Sequence, residues 1–160
     1  MLPLIVSPNP ILRTKATAAN LPPDPALLTL AQGMLSATEH YHGIGLAAPQ
    51  VGSGLRVAIV TMAAGLTVCL NPEIVRSSFG KVDFEEGCLS IPGVYGIVPR
   101  PERILVTYVA LDGTPWRGWL DGMPARIFQH EVDHLDGILF TERARAITQG
   151  AELLHRYGLA

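Results

Sequence analysis

Charge is scarce in this chain. Of its 160 residues 16% are Asp, Glu, Lys or Arg, and they leave a formal net charge of −2. That balance supplies no basic field for DNA or for an anionic membrane, so neither is expected as a partner. Cysteine is rarer still, with Cys69 and Cys88 alone. Such a pair is no disulfide framework, and a metal-binding or buried-thiol role fits it better. No apolar run reaches the roughly 20 residues that cross a bilayer. Residues 1–10 are apolar but lack a basic flank and are broken by prolines, unlike a secretory signal. A soluble, cytoplasmic protein is therefore expected. Repeats, low-complexity tracts and linkers are missing too, which leaves one domain spanning 1–160 as the simplest organisation. What is abundant is hydrophobic residues, at 48%, and this excludes a disordered chain and calls for extensive burial.

Leu27, Leu28, Leu30, Met34 and Leu35 recur at helical spacing after Pro22 and Pro23, so a helix is expected over 24–42, ended by Gly43. Residues 55–61 and 66–70 are short apolar strand candidates, and 72–82 reads as extended. Asp112-Gly113 between two alternating runs predicts a hairpin of 103–111 with 114–120. Asp121 or Gly122 then opens a second helix, with Pro124 early in it and Gly137 at its end. Residues 141–157 read as a terminal helix. The order is helix, strands, helix, helix, an α+β pattern rather than alternating β-α-β. The expected architecture is a single domain of antiparallel strands around a central helix, with one helix towards each end.

The central helix carries His130-Glu131-Val132-Asp133-His134. Four residues along a helix return two side chains to one face, about 6 Å apart at Cβ. Two imidazoles so placed can share a metal ion, and the intervening Glu can serve as a general base. A catalytic site needs a third protein ligand. The extended zinc-protease motif would put a histidine at position 140, where this chain has Phe140. Glu152 sits in an amphipathic tail, where a solvated charge is the better reading. Cys88, within Glu86-Gly87-Cys88-Leu89-Ser90, offers a candidate thiolate for a divalent metal, the alternative being a small buried hydrophobe. Cys69 lies among apolar neighbours and takes the buried reading. Residues 43–50 are rich in small side chains and formally fit a dinucleotide fingerprint. A helix precedes them and Pro49 and Gly52 follow, which rules that out. The better reading is a loop whose backbone approaches a ligand closely, with the Gln50 amide at its end.

Together, G-I-G-L-A-A-P-Q at 43–50, E-G-C-L-S at 86–90 and Q-H-E-V-D-H at 129–134 resemble the peptide deformylase family. The resemblance extends to residues 10–13 and 98–100. It implies an α+β fold and a hydrolase that removes the formyl group from N-formylmethionyl nascent peptides, releasing formate. It further implies Cys88, His130 and His134 as metal ligands and Glu131 as catalytic acid and base. Gln50 and the backbone N–H of Leu89 would hold the oxyanion. Gly43 and Gly45 would form a close wall that aligns substrate, and Ile44, Ile127 and the stem of Arg126 would line a methionine pocket. The metal implied is Fe2+, with Zn2+, Ni2+ or Co2+ as substitutes. Glu86 and Arg100 are expected to pair and steady the Cys88 segment. Some members of the family dock on the ribosome through the C-terminal segment. Here Arg143, Arg145 and Arg156 could offer only a small basic face, so that contact is the weaker expectation. The competing function is a metallopeptidase or another metal amidase with the same ligands.

Overall fold

The computed structural model describes residues 1–159. Along the chain run α1 (Pro25–His40), β1 (Gly45–Ala47), β2 (Val57–Met62), β3 (Gly65–Ser77), β4 (Lys81–Cys88), β5 (Ile91–Pro101), β6 (Arg103–Val109) and β7 (Pro115–Asp121). They are followed by α2 (Gly122–Leu135), the single turn α3 (Phe140–Arg143) and β8 (Ala146–Gln149). The strands form a five-stranded sheet, β1-β2-β3-β6-β7, and a three-stranded sheet, β4-β5-β8. Every pairing within them is antiparallel.

Helix α1 begins where Asp24 accepts a hydrogen bond from the Leu27 N–H, with a proline in the first turn. Its buried face, Leu27, Ala31, Met34 and Thr38, keeps helical spacing. Strand β2 shows how the layers form. Val57 and Ile59 pack with α1, whereas Ala58 and Val60 pack with α2, because successive strand residues face opposite sides. The five-stranded sheet thus lies between the two helices. The expected hairpin is β6 with β7, paired from Arg103 opposite Asp121 to Val109 opposite Pro115. The stretch expected to be extended over 72–82 is interrupted at 78–80, where β3 ends and β4 begins.

Helix α2 is buried on two sides. Ala125, Phe128, Val132 and Leu135 pack on the five-stranded sheet. Arg126, His130 and Asp133 face the other way, towards groups on β4 and β5. A helix wedged between two sheets must satisfy its polar side chains inside the protein, since unpaired buried polar groups are costly.

The terminal helix expected over 141–157 does not form. The segment splits into α3, β8 and two 3-10 turns, Ala151–Leu153 and His155–Tyr157. Gly150 takes a left-handed conformation, φ 75°, which breaks a helix there. The edge of β5 offers unpaired backbone groups, and β8 takes them, with Ile147 opposite Gly96. The apolar spacing that suggested a helix instead delivers Ile147, Leu153, Leu154 and Tyr157 to a cluster with Leu12, Ile91 and Phe140. Among the described residues no helix is long and apolar enough to cross a membrane.

Candidate metal centre

His130 and His134 sit one turn apart on α2, with ring centroids 5.0 Å apart. Cys88 ends β4, just past a break in register between Gly87 and Cys88, the kind of irregularity that re-aims a strand side chain. Its Sγ lies 3.3 Å from His134 Nε2. One donor atom from each of Cys88, His130 and His134 lies within 4.8 Å of the others. Metal–donor distances of about 2.0–2.3 Å put the ligands of one ion within such a spread. Burial depresses the His134 pKa well below its ordinary value, which keeps the ring in the neutral, ligating form. His130 behaves oppositely. Burial disfavours its charge, but contacts with Cys88 and Glu86 outweigh this and raise its pKa well above the ordinary value. A cation held among these donors would compete with that proton.

Glu131 projects into the same space. It is 4% exposed, and its Oε2 has no hydrogen-bond partner among the described residues. An orphaned buried carboxylate oxygen beside three ligand-type donors fits a centre built around a cation and a reacting molecule. Burial lifts the Glu131 carboxyl to about 7, against the attraction of His130. A carboxyl tuned there can both take and return a proton near neutral pH. The absence of a side chain at Gly45 makes the arrangement feasible: a Cβ there would lie 2.4 Å from Glu131 Oε1 and 2.7 Å from Ile127 Cγ2.

Behind the centre lies a buried ionic chain. Glu86 accepts hydrogen bonds from Arg100 Nε at 2.6 Å and Nη2 at 3.0 Å, and from Arg126 Nη1 at 2.7 Å. Its Oε2 lies 2.9 Å from His130 Nδ1, so the carboxylate fixes that ring and leaves Nε2 for the cleft. Burial alone would raise the Glu86 pKa. Hydrogen bonds from His130 and Arg100 reverse this and hold it well below the usual carboxylate range. Arg100 continues to Asp133 at 2.8 Å, and Asp133 accepts a two-pronged contact from Arg143 at 2.6 and 2.8 Å. The expected Glu86–Arg100 pair is thus one link in a longer array. Asp133 and Arg143 were missed in the sequence, as was the anchoring of the Arg126 guanidinium. The available signal was Arg126, His130 and Asp133 at i, i+4 and i+7 on one helix face.

A cleft of about 610 Å3 opens over the centre. Gly43, Ile44, Gly45, Gln50, Cys88, Leu89, Arg126, Ile127, His130 and Glu131 all line it, while His134 lies behind them. Ile44 is 57% exposed at the rim and Ile127 only 5%, so the second doubles as core. Gln50 Oε1 accepts from the Ala47 N–H at 2.9 Å, which turns its NH2 towards Ser90 Oγ, 3.1 Å away, and Cys88 Sγ, 3.6 Å away. Residues not anticipated in the cleft include Phe84, Met123 and the 92–95 wall.

A thiol and an imidazole at the floor of a cleft, a second imidazole behind them and a buried carboxyl beside them, on an α+β frame, form the kind of group that can hold a metal ion, as in a metal-dependent hydrolase. Residues 1–150 match the polypeptide deformylase family, and the chain belongs to that family. A peptide deformylase of Dictyoglomus thermophilum is 44% identical over 136 residues, covering 85% of this chain and 88% of the relative. The crystal structure of a peptide deformylase from Synechococcus elongatus in complex with actinonin superposes with a TM-score of 0.88 at 37% identity, covering 99% of this chain and 87% of that one. A Met-Ala-Ser-bound class I type b peptide deformylase from Acinetobacter baumannii gives a TM-score of 0.84 at 38% identity, covering 89% and 97%.

Proposed function

We propose that this chain hydrolyses the formamide of N-formylmethionyl peptides, with Cys88, His130 and His134 holding one divalent ion and Glu131 moving the proton. The observation that carries this reading is the convergence of those three donors on the buried, unpartnered carboxylate oxygen of Glu131. When bound, the ion supplies Lewis acidity, lowering the pKa of water and polarising a carbonyl oxygen.

The remaining work falls to the chain itself. Glu131 takes the proton of the attacking water and later delivers it to the departing amine. The Gln50 NH2, oriented by Ala47, and the Leu89 N–H donate to the oxygen that gains charge; one such donor contributes about 2.7–4 kcal/mol. The backbone of Gly43 and Gly45 brings a close wall to the acyl carbon. Such a wall accepts a formyl hydrogen and rejects the methyl of an acetyl group. Ile44, Ile127 and the stem of Arg126 supply an apolar surface for the methionine side chain, while the Arg126 guanidinium is held away by Glu86 and the Val98 and Val82 carbonyls. The Met-Ala-Ser-bound relative supports a peptide of this kind as the ligand.

A donor set of one thiolate and two imidazoles suits Fe2+, Zn2+, Ni2+ or Co2+. We infer Fe2+ in the cell. The iron form should then lose activity in air faster than the zinc or nickel form, through oxidation at the thiolate centre; equal decay of all forms would refute this. A cytoplasmic site of action follows from nascent chains as substrate. Ribosome docking draws little support from the tail, because Arg143 is engaged by Asp133 and Arg145 by Asp83.

The test compares formyl-Met-Ala-Ser with acetyl-Met-Ala-Ser and with the free-amine peptide. Formate release from the first alone is expected. Cleavage of the free-amine peptide would favour the metallopeptidase reading instead.

A further inference from the structure

The cleft wall formed by residues 92–95 belongs neither to the metal-bearing helix nor to the small-residue loop, yet it lines the same cavity. Its rear is held by the two terminal segments of the chain. The Tyr157 hydroxyl donates to the Pro92 carbonyl at 2.8 Å. The Ser7 hydroxyl donates to the Tyr157 carbonyl at 2.7 Å. The Ser7 N–H donates to the Ser90 carbonyl at 2.9 Å, and the Ile5 N–H to the Gln50 carbonyl at 2.7 Å. One run of hydrogen bonds therefore joins the backbones of Gln50, Ser90 and Pro92 by way of residues near both ends of the chain.

Packing reinforces the same wall. Gln149 on β8 stands opposite Tyr95. Gly150 lies so close to Gly93 that a Cβ on it would fall 2.1 Å from the Gly93 oxygen. Tyr157 is 7% exposed, in the cluster with Ile91 and Val94. Burial alone would be served by phenylalanine. The hydroxyl adds a directional tie to the Pro92 carbonyl, at the start of the wall.

We propose that Tyr157 is a positioning residue, through which the terminal segments fix the 92–95 wall and so set how tightly peptide substrate is held. The proposal rests on the cleft being the peptide site. Because the Tyr157 hydroxyl bonds only the Pro92 carbonyl and touches neither Glu131 nor a metal-ligating side chain, the tie acts on substrate binding and leaves the chemical step alone.

The experiment uses the metal-loaded protein with Tyr157→Phe, which keeps the ring and removes only the hydroxyl, and Ser7→Ala, which removes the side-chain bond to the Tyr157 carbonyl and keeps the backbone ones. KM for formyl-Met-Ala-Ser and kcat are measured well below the unfolding temperature, alongside amide hydrogen exchange of the segment containing residues 92–95. A part-buried hydrogen bond of ordinary strength predicts a rise in KM of about two- to tenfold in Tyr157→Phe, with kcat unchanged and faster exchange in the wall. Unchanged KM and exchange in both variants, whatever happens to thermal stability, would overturn the proposal. So would a loss confined to kcat. If the wild type released no formate, the functional reading would fall, and unchanged exchange in the variants would still refute the tie.

Discussion

Glu86→Gln is the sharpest test of the ionic array behind the metal centre. Glu86 is 7% exposed and accepts from Arg100 and Arg126 while fixing His130 Nδ1. Glutamine keeps the volume, but it removes the charge and replaces one acceptor oxygen with an NH2 that faces donors. Two buried guanidinium groups then lose their common counter-charge. Breaking a buried pair from one side costs about 3–5 kcal/mol. At about 2–4 °C per kcal/mol for a chain of this size, the unfolding temperature should drop by about 6–20 °C. The second consequence is specific to the site. His130 loses the acceptor that orients it, and loss of such a partner typically weakens metal affinity by about 10–100-fold. Thermal unfolding of the metal-free protein and Co2+ titration of the same samples measure the two effects separately. The pH dependence has a definite sign. The folded pKa of Glu86 is depressed, so its stabilisation is present above the unfolded value of about 4.3 and is lost only as pH falls towards the lower folded value. Glu86→Gln should therefore flatten the acid limb of the stability curve. An unfolding temperature within about 2 °C of wild type, together with unaltered Co2+ affinity, would refute the reasoning.

Other outcomes follow from single contacts. Gly45→Ala places a Cβ against Glu131 and Ile127 at 2.4 and 2.7 Å, so Glu131 must move; kcat should fall steeply while circular dichroism stays native, and normal turnover would show that the loop gives way instead. Glu131→Gln should lower kcat by about 10²–10⁴-fold in the formate assay. The same substitution should stabilise the metal-free protein at high pH. Burial raises the folded pKa of Glu131 to about 7, so its ionisation opposes folding increasingly as pH rises from the unfolded value towards that point. Glu131→Gln should thus unfold at a higher temperature than wild type near about pH 8 and at a similar temperature near about pH 4, and the reverse order would sink the argument.

The sequence was most legible where local rules act alone. Pro22-Pro23 before the spaced leucines, Asp112-Gly113 between alternating runs and Gly122 with Pro124 marked α1, the β6–β7 hairpin and the start of α2. It failed at the tail, where apolar spacing was compatible with a helix but the open edge of β5 and the left-handed Gly150 selected a strand and two short turns. Arg143 shows the same limit. It read as a surface charge on that tail, whereas α3 brings it onto Asp133 at 2.6 Å.

By itself the sequence determined the chemical inventory, since residue type and helical spacing alone put His130, Glu131 and His134 on one turn, and three motifs together resemble one family. Tertiary structure decided how those groups are held. Cys88 stands 46 residues before His134, and only the packing of β4 against α2 brings its sulfur to 3.3 Å. Likewise Glu86, Arg100, Asp133 and Arg143 become one array because α2 is buried between two sheets, and there ionic groups persist only with partners. Periodicity and caps are properties of neighbouring residues and can be read along the chain. Contacts between residues far apart in sequence depend on which surfaces bury each other, and that is settled only once the chain has folded.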